Sequence, residues 1–167
     1  MNLYILRHGI AVEPGTPGYA KDADRPLLPE GERKLGQIAE AMEALGLTFE
    51  LILSSPYLRA RQTAEIVAEA LAARKKLEFS DSLAPGGSTR KLVEFLNRLR
   101  PPPESVLLVG HEPYLSGLVS LLVAGNQGCS VVIKKGGLCK LATDSLTHGR
   151  CAALEWLLTP KQMALMT

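Results

Sequence analysis

Arg7-His8-Gly9 stands directly behind the apolar run Leu3-Tyr4-Ile5-Leu6. A short buried strand that releases a guanidinium, an imidazole and a glycine at its carboxyl end puts a cation and a nucleophile where open α/β sheets bind ligands. Gly9 has no Cβ, so the chain can turn sharply there and a ligand can come close to the backbone. Two more apolar runs end in a similar way. Leu51-Ile52-Leu53 leads into Ser55-Pro56-Tyr57-Leu58-Arg59, and Val106-Leu107-Leu108-Val109 leads into Gly110-His111-Glu112-Pro113. Arg7, Arg59, His8 and His111 brought to one point would form a pocket for a dianionic phosphoryl group, because guanidinium forks match phosphate oxygens bidentately and stay charged. Gly9 would give the group access to the backbone.

In such a pocket neutral His8 attacks phosphorus in line, a phosphohistidine forms, and water later removes the phosphoryl group. His111 has the opposite requirement, since a protonated imidazole donates to a phosphoryl oxygen as charge develops. The two demands predict a bell-shaped rate profile whose limbs belong to the coupled pair. No Asp or Glu cluster at the strand ends offers a divalent-cation site, so the expected mechanism is metal-independent and uses no cofactor.

The elements that must position these residues follow from periodicity. Strand-like runs alternate with amphipathic ones, which predicts an α/β three-layer sandwich: a central, mostly parallel sheet with helices on both faces. Residues 10–29 are rich in Gly, Pro and charge and read as a long functional loop beginning beside His8. Leu35, Ile38, Ala39, Met42 and Leu45 space a helix that Gly46 ends. Ser55 reads as an N-cap with Pro56 at the first helical position, and Ala60, Thr63, Ala64, Val67 and Leu71 form the buried stripe that follows. After a weak strand at 77–79 come a loop at 81–88, a helix stopped by Pro101-Pro102-Pro103, the strand 106–109 and a helix over 113–123. Residues 131–134, 138–142 and 152–158 read as strands, with Gly136-Gly137 turning between the first two. Thr159-Pro160 opens a short last helix.

At 167 residues and 46% apolar content, the chain is the size of one domain, residues 1–167, able to bury a core without disulfides or metal. The 19 basic and 17 acidic residues are mixed along the chain, which gives no basis for nucleic-acid or membrane binding. Cys129, Cys139 and Cys151 form no Cys-x-x-Cys pair and are expected to sit reduced in strands. The amino terminus enters a strand at once and no run is long enough to cross a bilayer, so a soluble cytoplasmic protein is expected. Nothing in the sequence sets an oligomeric state, and a monomer is compatible with it.

The motifs resemble the histidine phosphatase superfamily (phosphoglycerate mutase-like), in particular its small SixA-like branch. The residues concerned are Arg7-His8-Gly9, Asp24-Arg25-Pro26-Leu27 with Gly31 behind it, Ser55-Pro56-x-x-Arg59-Ala60-x-Gln62-Thr63, His111-x-Pro113 and the stretch from Trp156 to Met163. The resemblance implies that His8 is the residue phosphorylated and that Arg7, Arg59 and His111 complete the phosphate pocket. Larger members carry a glutamate, in the loop corresponding to residues 81–88, that protonates an alkoxide leaving group; here the loop has none.

An alkoxide leaves poorly without a proton donor, whereas the nitrogen of phosphohistidine can be protonated by solvent. The expected substrate is therefore a phosphohistidine-bearing protein. Glu13, Glu112 and Asp81 are the candidates for a substitute donor, and one of them in the pocket would favour a small phosphoester such as a sugar phosphate or nucleotide. A third reading is a non-catalytic phosphate-binding module. A mutase is disfavoured, since no insertion is long enough to cover the site.

Other residues invite plainer readings. Arg61 faces away from Arg59 and reads as solvated, and His148 as a turn residue. Tyr19, Lys21 and Arg25 touch substrate or decorate the first loop. Lys134 and Lys135 precede a turn and face water, where one could meet an anionic partner.

Overall fold

The computed structural model describes residues 1–167. Six strands form one sheet in the order β3-β2-β4-β1-β5-β6: β1 (Asn2–Arg7), β2 (Leu51–Ser54), β3 (Leu77–Phe79), β4 (Ser105–Gly110), β5 (Leu138–Ala142) and β6 (Ala153–Leu158). The pairings β1·β4, β2·β4 and β2·β3 are parallel, whereas β1·β5 and β5·β6 are antiparallel. Side chains alternate across each strand. Tyr4 and Leu6 of β1 therefore join the core beneath α1 (Pro29–Ala44), α2 (Leu58–Ala70) and the short α5 (Pro160–Met163). Leu3 and Ile5 join the opposite core beneath α3 (Thr89–Arg98) and α4 (Tyr114–Ala124). The expected layered α/β architecture is observed.

The register aligns the strand ends that carry the candidate residues. Arg7 lies opposite Gly110 and Ser54 opposite Val109, and the His8 N–H donates to the Gly110 carbonyl at 3.0 Å. His8, Ser55 and His111 thus leave neighbouring strands at one carboxyl edge, where the crossovers separate and open a crevice.

The structure departs from the periodicity reading in four places. Residues 131–134 form no strand; the Ile133 carbonyl accepts from Arg7 instead, at 2.9 Å. The glycine turn persists, with Gly137 N–H donating to the Lys134 carbonyl, but it closes over the end of β1 rather than joining two strands. Ser55 is not the helix cap: α2 begins at Leu58, and Ser55 Oγ accepts from Tyr57 N–H in a preceding turn. Of the cysteines, Cys139 alone lies in a strand; Cys129 and Cys151 precede strands in loops, and all three are free.

Gly31 explains its place in the motif. A Cβ there would meet the Ile10 carbonyl oxygen at 2.1 Å, so α1 packs against the backbone leaving Gly9 with no room between them. Gly31→Ala is expected to destabilise the protein by about 3 kcal/mol, read as a lower urea midpoint, because a backbone carbonyl cannot move aside as a flexible side chain would.

Candidate active site

His8, Arg59 and His111 are buried polar residues, 6%, 4% and 2% exposed respectively. The two imidazole rings lie 5.2 Å apart between centroids. His8 Nδ1 is 2.7 Å from the carbonyl of Gly9, and a carbonyl can only accept, so the proton of neutral His8 is on Nδ1. Nε2 then keeps its lone pair, toward which Arg59 Nε–H points at 3.3 Å. The nitrogen left basic is the one beside the guanidinium, the arrangement an in-line attack on a phosphoryl group requires.

His111 Nε2 lies 2.8 Å from Ser55 Oγ, while its Nδ1 and Arg7 Nε are buried without partners. Buried nitrogens are ordinarily paired. Two of them, on residues that leave adjacent strands, are suited to the oxygens of an anion. Arg7 is held from behind by Ile133, so its remaining donors are fixed in direction.

Burial drives the His8 imidazole down to about 3; the Gly9 hydrogen bond opposes this, and the charges of His111, Arg59 and Arg7 add to it. His111 also falls to about 3, first by burial and then through the Arg59 charge. The opposed protonation expected for the pair is therefore absent: both rings are held neutral. A phosphoryl dianion resting on the guanidiniums would offset their charge, so the proton His111 needs would arrive together with the substrate.

Periodicity gave no sign of Asp22. Its carboxylate accepts from Arg59 Nη2 at 3.0 Å and from Arg25 Nε and Nη2 at 2.9 and 2.7 Å, and its backbone carbonyl accepts from Arg59 Nη1 at 2.8 Å. Burial raises the Asp22 pKa, but the two arginines outweigh it and hold the group below the ordinary carboxylate value. Arg25 is itself buried and donates to the Val12 carbonyl. The first loop thus wraps the pocket, anchoring Arg59 from the side opposite His8. The hint available in the sequence was Asp22-x-x-Arg25, three residues apart just before Pro26 and Leu27.

Gln62 and Thr63 act as ties. Thr63 Oγ1 accepts from Gly9 N–H at 3.1 Å and donates to the Arg59 carbonyl at 2.7 Å, and Gln62 Oε1 accepts from Leu27 N–H at 2.8 Å. A Cβ at Gly9 would lie 2.7 Å from Leu35 Cδ1, so any larger residue there must push that buried side chain aside.

None of the proposed proton donors is bonded to a pocket residue. Glu13 is exposed and pairs with Lys135 at 3.6 Å. Glu112 accepts from Ser116 N–H and Oγ in the first turn of α4. Asp81 is exposed and begins a 3-10 turn. His148 bonds Thr89 Oγ1 at 2.8 Å and Arg61 pairs with Glu65 on the surface, and neither bonds a pocket residue. No three His, Cys, Asp or Glu side chains cluster as metal ligands, and no helix is long and apolar enough to cross a membrane.

The chain carrying this crevice is similar to known proteins. The family model for the histidine phosphatase superfamily (branch 1) matches residues 3–84, and the chain belongs to that superfamily. Within it the chain falls in the SixA-like branch. It is 32% identical over 126 residues to phosphohistidine phosphatase SixA of Escherichia coli K12, covering 75% of this chain and 76% of that one. The solved structure of the protein histidine phosphatase SixA complexed with tungstate superimposes with a TM-score of 0.82 at 27% identity, over 96% of this chain and 98% of the other. An uncharacterized protein of Picosynechococcus sp. is 42% identical over 146 residues, 87% of each chain.

Proposed function

We propose that this protein is a phosphohistidine phosphatase acting on phosphohistidine in a protein, with His8 as the transient phosphoryl acceptor. His8 Nε2 attacks phosphorus while Arg7 and Arg59 hold the oxygens, and the substrate nitrogen leaves with a proton from solvent. Water then attacks the phosphorus of phosphorylated His8, releasing phosphate and restoring the neutral ring. His111 donates to a phosphoryl oxygen in both steps.

The observation that carries the nitrogen-linked substrate is the state of Asp22. It is the carboxylate bonded to the pocket's arginines, and those bonds keep it ionised. An ionised carboxylate has no proton to give an alkoxide, whereas a phosphoramidate nitrogen is basic enough to take one from water. A protein histidine phosphatase with the same fold supports the reading.

The fold is also shared with a phosphoserine phosphatase of Entamoeba histolytica, at a TM-score of 0.69 and 16% identity, so phosphoesters belong in the test. Hydrolysis rates are compared for a protein carrying phosphohistidine, a set of sugar phosphates and nucleotides, and an aryl phosphate. The expected result is a kcat/KM for the phosphohistidine protein at least about a hundredfold above any alkyl phosphoester, the usual worth of proton donation to a leaving group. Equal or better turnover of an alkyl ester would overturn the reading.

A further inference from the structure

Beside the pocket lies a second cationic feature. Lys34 of α1, Lys134 of the loop before β5 and Lys161 of α5 rim a depression of about 580 Å3, with Gln37 and Thr159 between them. Lys34 pairs with Glu30 at 2.7 Å, while Lys134 and Lys161 are exposed and have no carboxylate within ion-pair distance. Three ammonium groups with one carboxylate are a local excess in a chain whose net charge is only +2.

The groove shares a wall with the active site. Ile133, one residue before Lys134, gives its carbonyl to Arg7. Gly136, two residues after Lys134, donates its N–H toward the carbonyls of Arg7 and His8 at 3.0 and 3.1 Å. The other side of Gly136 faces the groove's own elements: a Cβ there would lie 2.7 Å from Ile38 Cδ1 and 3.4 Å from Pro160 Cγ. Lys134 is thus set on the strip of backbone whose inner face holds Arg7.

We propose that this groove docks an acidic segment of the phosphorylated protein substrate, an inference that rests on the protein-substrate reading above. Three flexible point charges on three separate elements, with no guanidinium fork and no buried donor, suit carboxylates spaced along a polypeptide better than one tetrahedral anion. Docking there holds the phosphorylated histidine near His8 and acts on KM rather than on the chemical step. It supplies a selectivity for partner proteins that a pocket gripping only the phosphoryl group lacks.

The test uses two phosphohistidine peptides of equal length, one flanked by glutamates and one by serines, together with an aryl phosphate. The wild type is expected to hydrolyse the acidic peptide with a kcat/KM about tenfold higher, through KM, as complementary charge gives. The double variant Lys134→Glu, Lys161→Glu is expected to lose or invert that preference and to keep its aryl phosphate rate within about twofold, which also reports an intact fold. Equal kcat/KM for the two peptides in the wild type, or an acidic preference that survives in the variant, would sink the proposal. Should neither peptide turn over while the aryl ester does, the phosphohistidine reading fails, and the groove is then decided by titrating the unphosphorylated glutamate peptide. Amide shifts at Lys134 and Lys161 that vanish in the variant support the groove; their absence overturns it.

Discussion

His8→Ala is expected to lose turnover by about 10⁴-fold or more, the scale seen when a covalent nucleophile is removed from a preorganised site. It is also expected to abolish transfer of a labelled phosphoryl group to the protein. The geometry sets both expectations. Nδ1 is committed to Gly9 and Nε2 is the basic atom beside Arg59, and no other side chain in the pocket combines a lone pair at neutral pH with that position. His111, the other imidazole, has its Nε2 engaged by Ser55. Rapid quenching of the wild type with labelled substrate should give protein-bound label that is stable to alkali and lost in acid, as a phosphoramidate is. Label that persists in His8→Ala would place the nucleophile elsewhere. A wild type that neither labels nor turns over any substrate would favour the binding-module reading. His8→Ala should retain affinity for vanadate within about tenfold, because the guanidiniums that hold the oxygens are untouched.

Acid should destabilise the fold well above the range in which carboxylates titrate. His8 and His111 both titrate near 3 in the folded protein, against about 6.5 for an exposed imidazole. Between those values the unfolded chain holds protons that the folded chain excludes. Stability is therefore complete above about pH 6.5 and is lost as the pH falls toward 3, by up to about 1.4 kcal/mol per pH unit for each ring. Asp22, held below its ordinary value, adds its own loss only at lower pH, so the interval from 6.5 to 4.5 isolates the imidazoles. Across it the unfolding free energy is expected to drop by about 4 kcal/mol, and by far less in the double variant His8→Gln, His111→Gln. Parallel slopes for the two proteins would show that the rings are not held neutral by the fold. A bound oxyanion should blunt the loss, since it restores the affinity of His111 for a proton.

The same comparison bears on catalysis. Were His111 charged before substrate arrived, it would stand among Arg7, Arg25 and Arg59, whose charges all lower its proton affinity. Proton uptake on binding avoids that repulsion. It can be measured as a dependence of phosphate or vanadate binding enthalpy on the ionisation enthalpy of the buffer.

Much of the arrangement was legible from residue order because it is local. A strand of apolar residues ending in Arg7-His8-Gly9 places those three at the carboxyl end of a sheet strand. The runs before Ser55 and His111 carry the same information, and parallel pairing then brings their ends together within one register. The helices and the final strands followed from spacing, apart from the start of α2, which falls at Leu58 and not at Pro56, and residues 131–134, which have a strand's composition and no partner. Their hydrogen-bonding capacity goes partly to Arg7, a contact across the fold that no local pattern encodes.

What only the tertiary structure decided is electrostatic and long-range. Asp22 meets Arg59 across 37 positions, and its grip on two arginines is what removes it as a proton donor. The neutral state of both imidazoles likewise depends on burial and on charges brought from four different segments. Residue types and spacing name the groups able to do chemistry, because side-chain identity and strand periodicity act over a few residues. Proton affinity depends on how much water is excluded and on which charges gather, and those are set only once distant segments pack together.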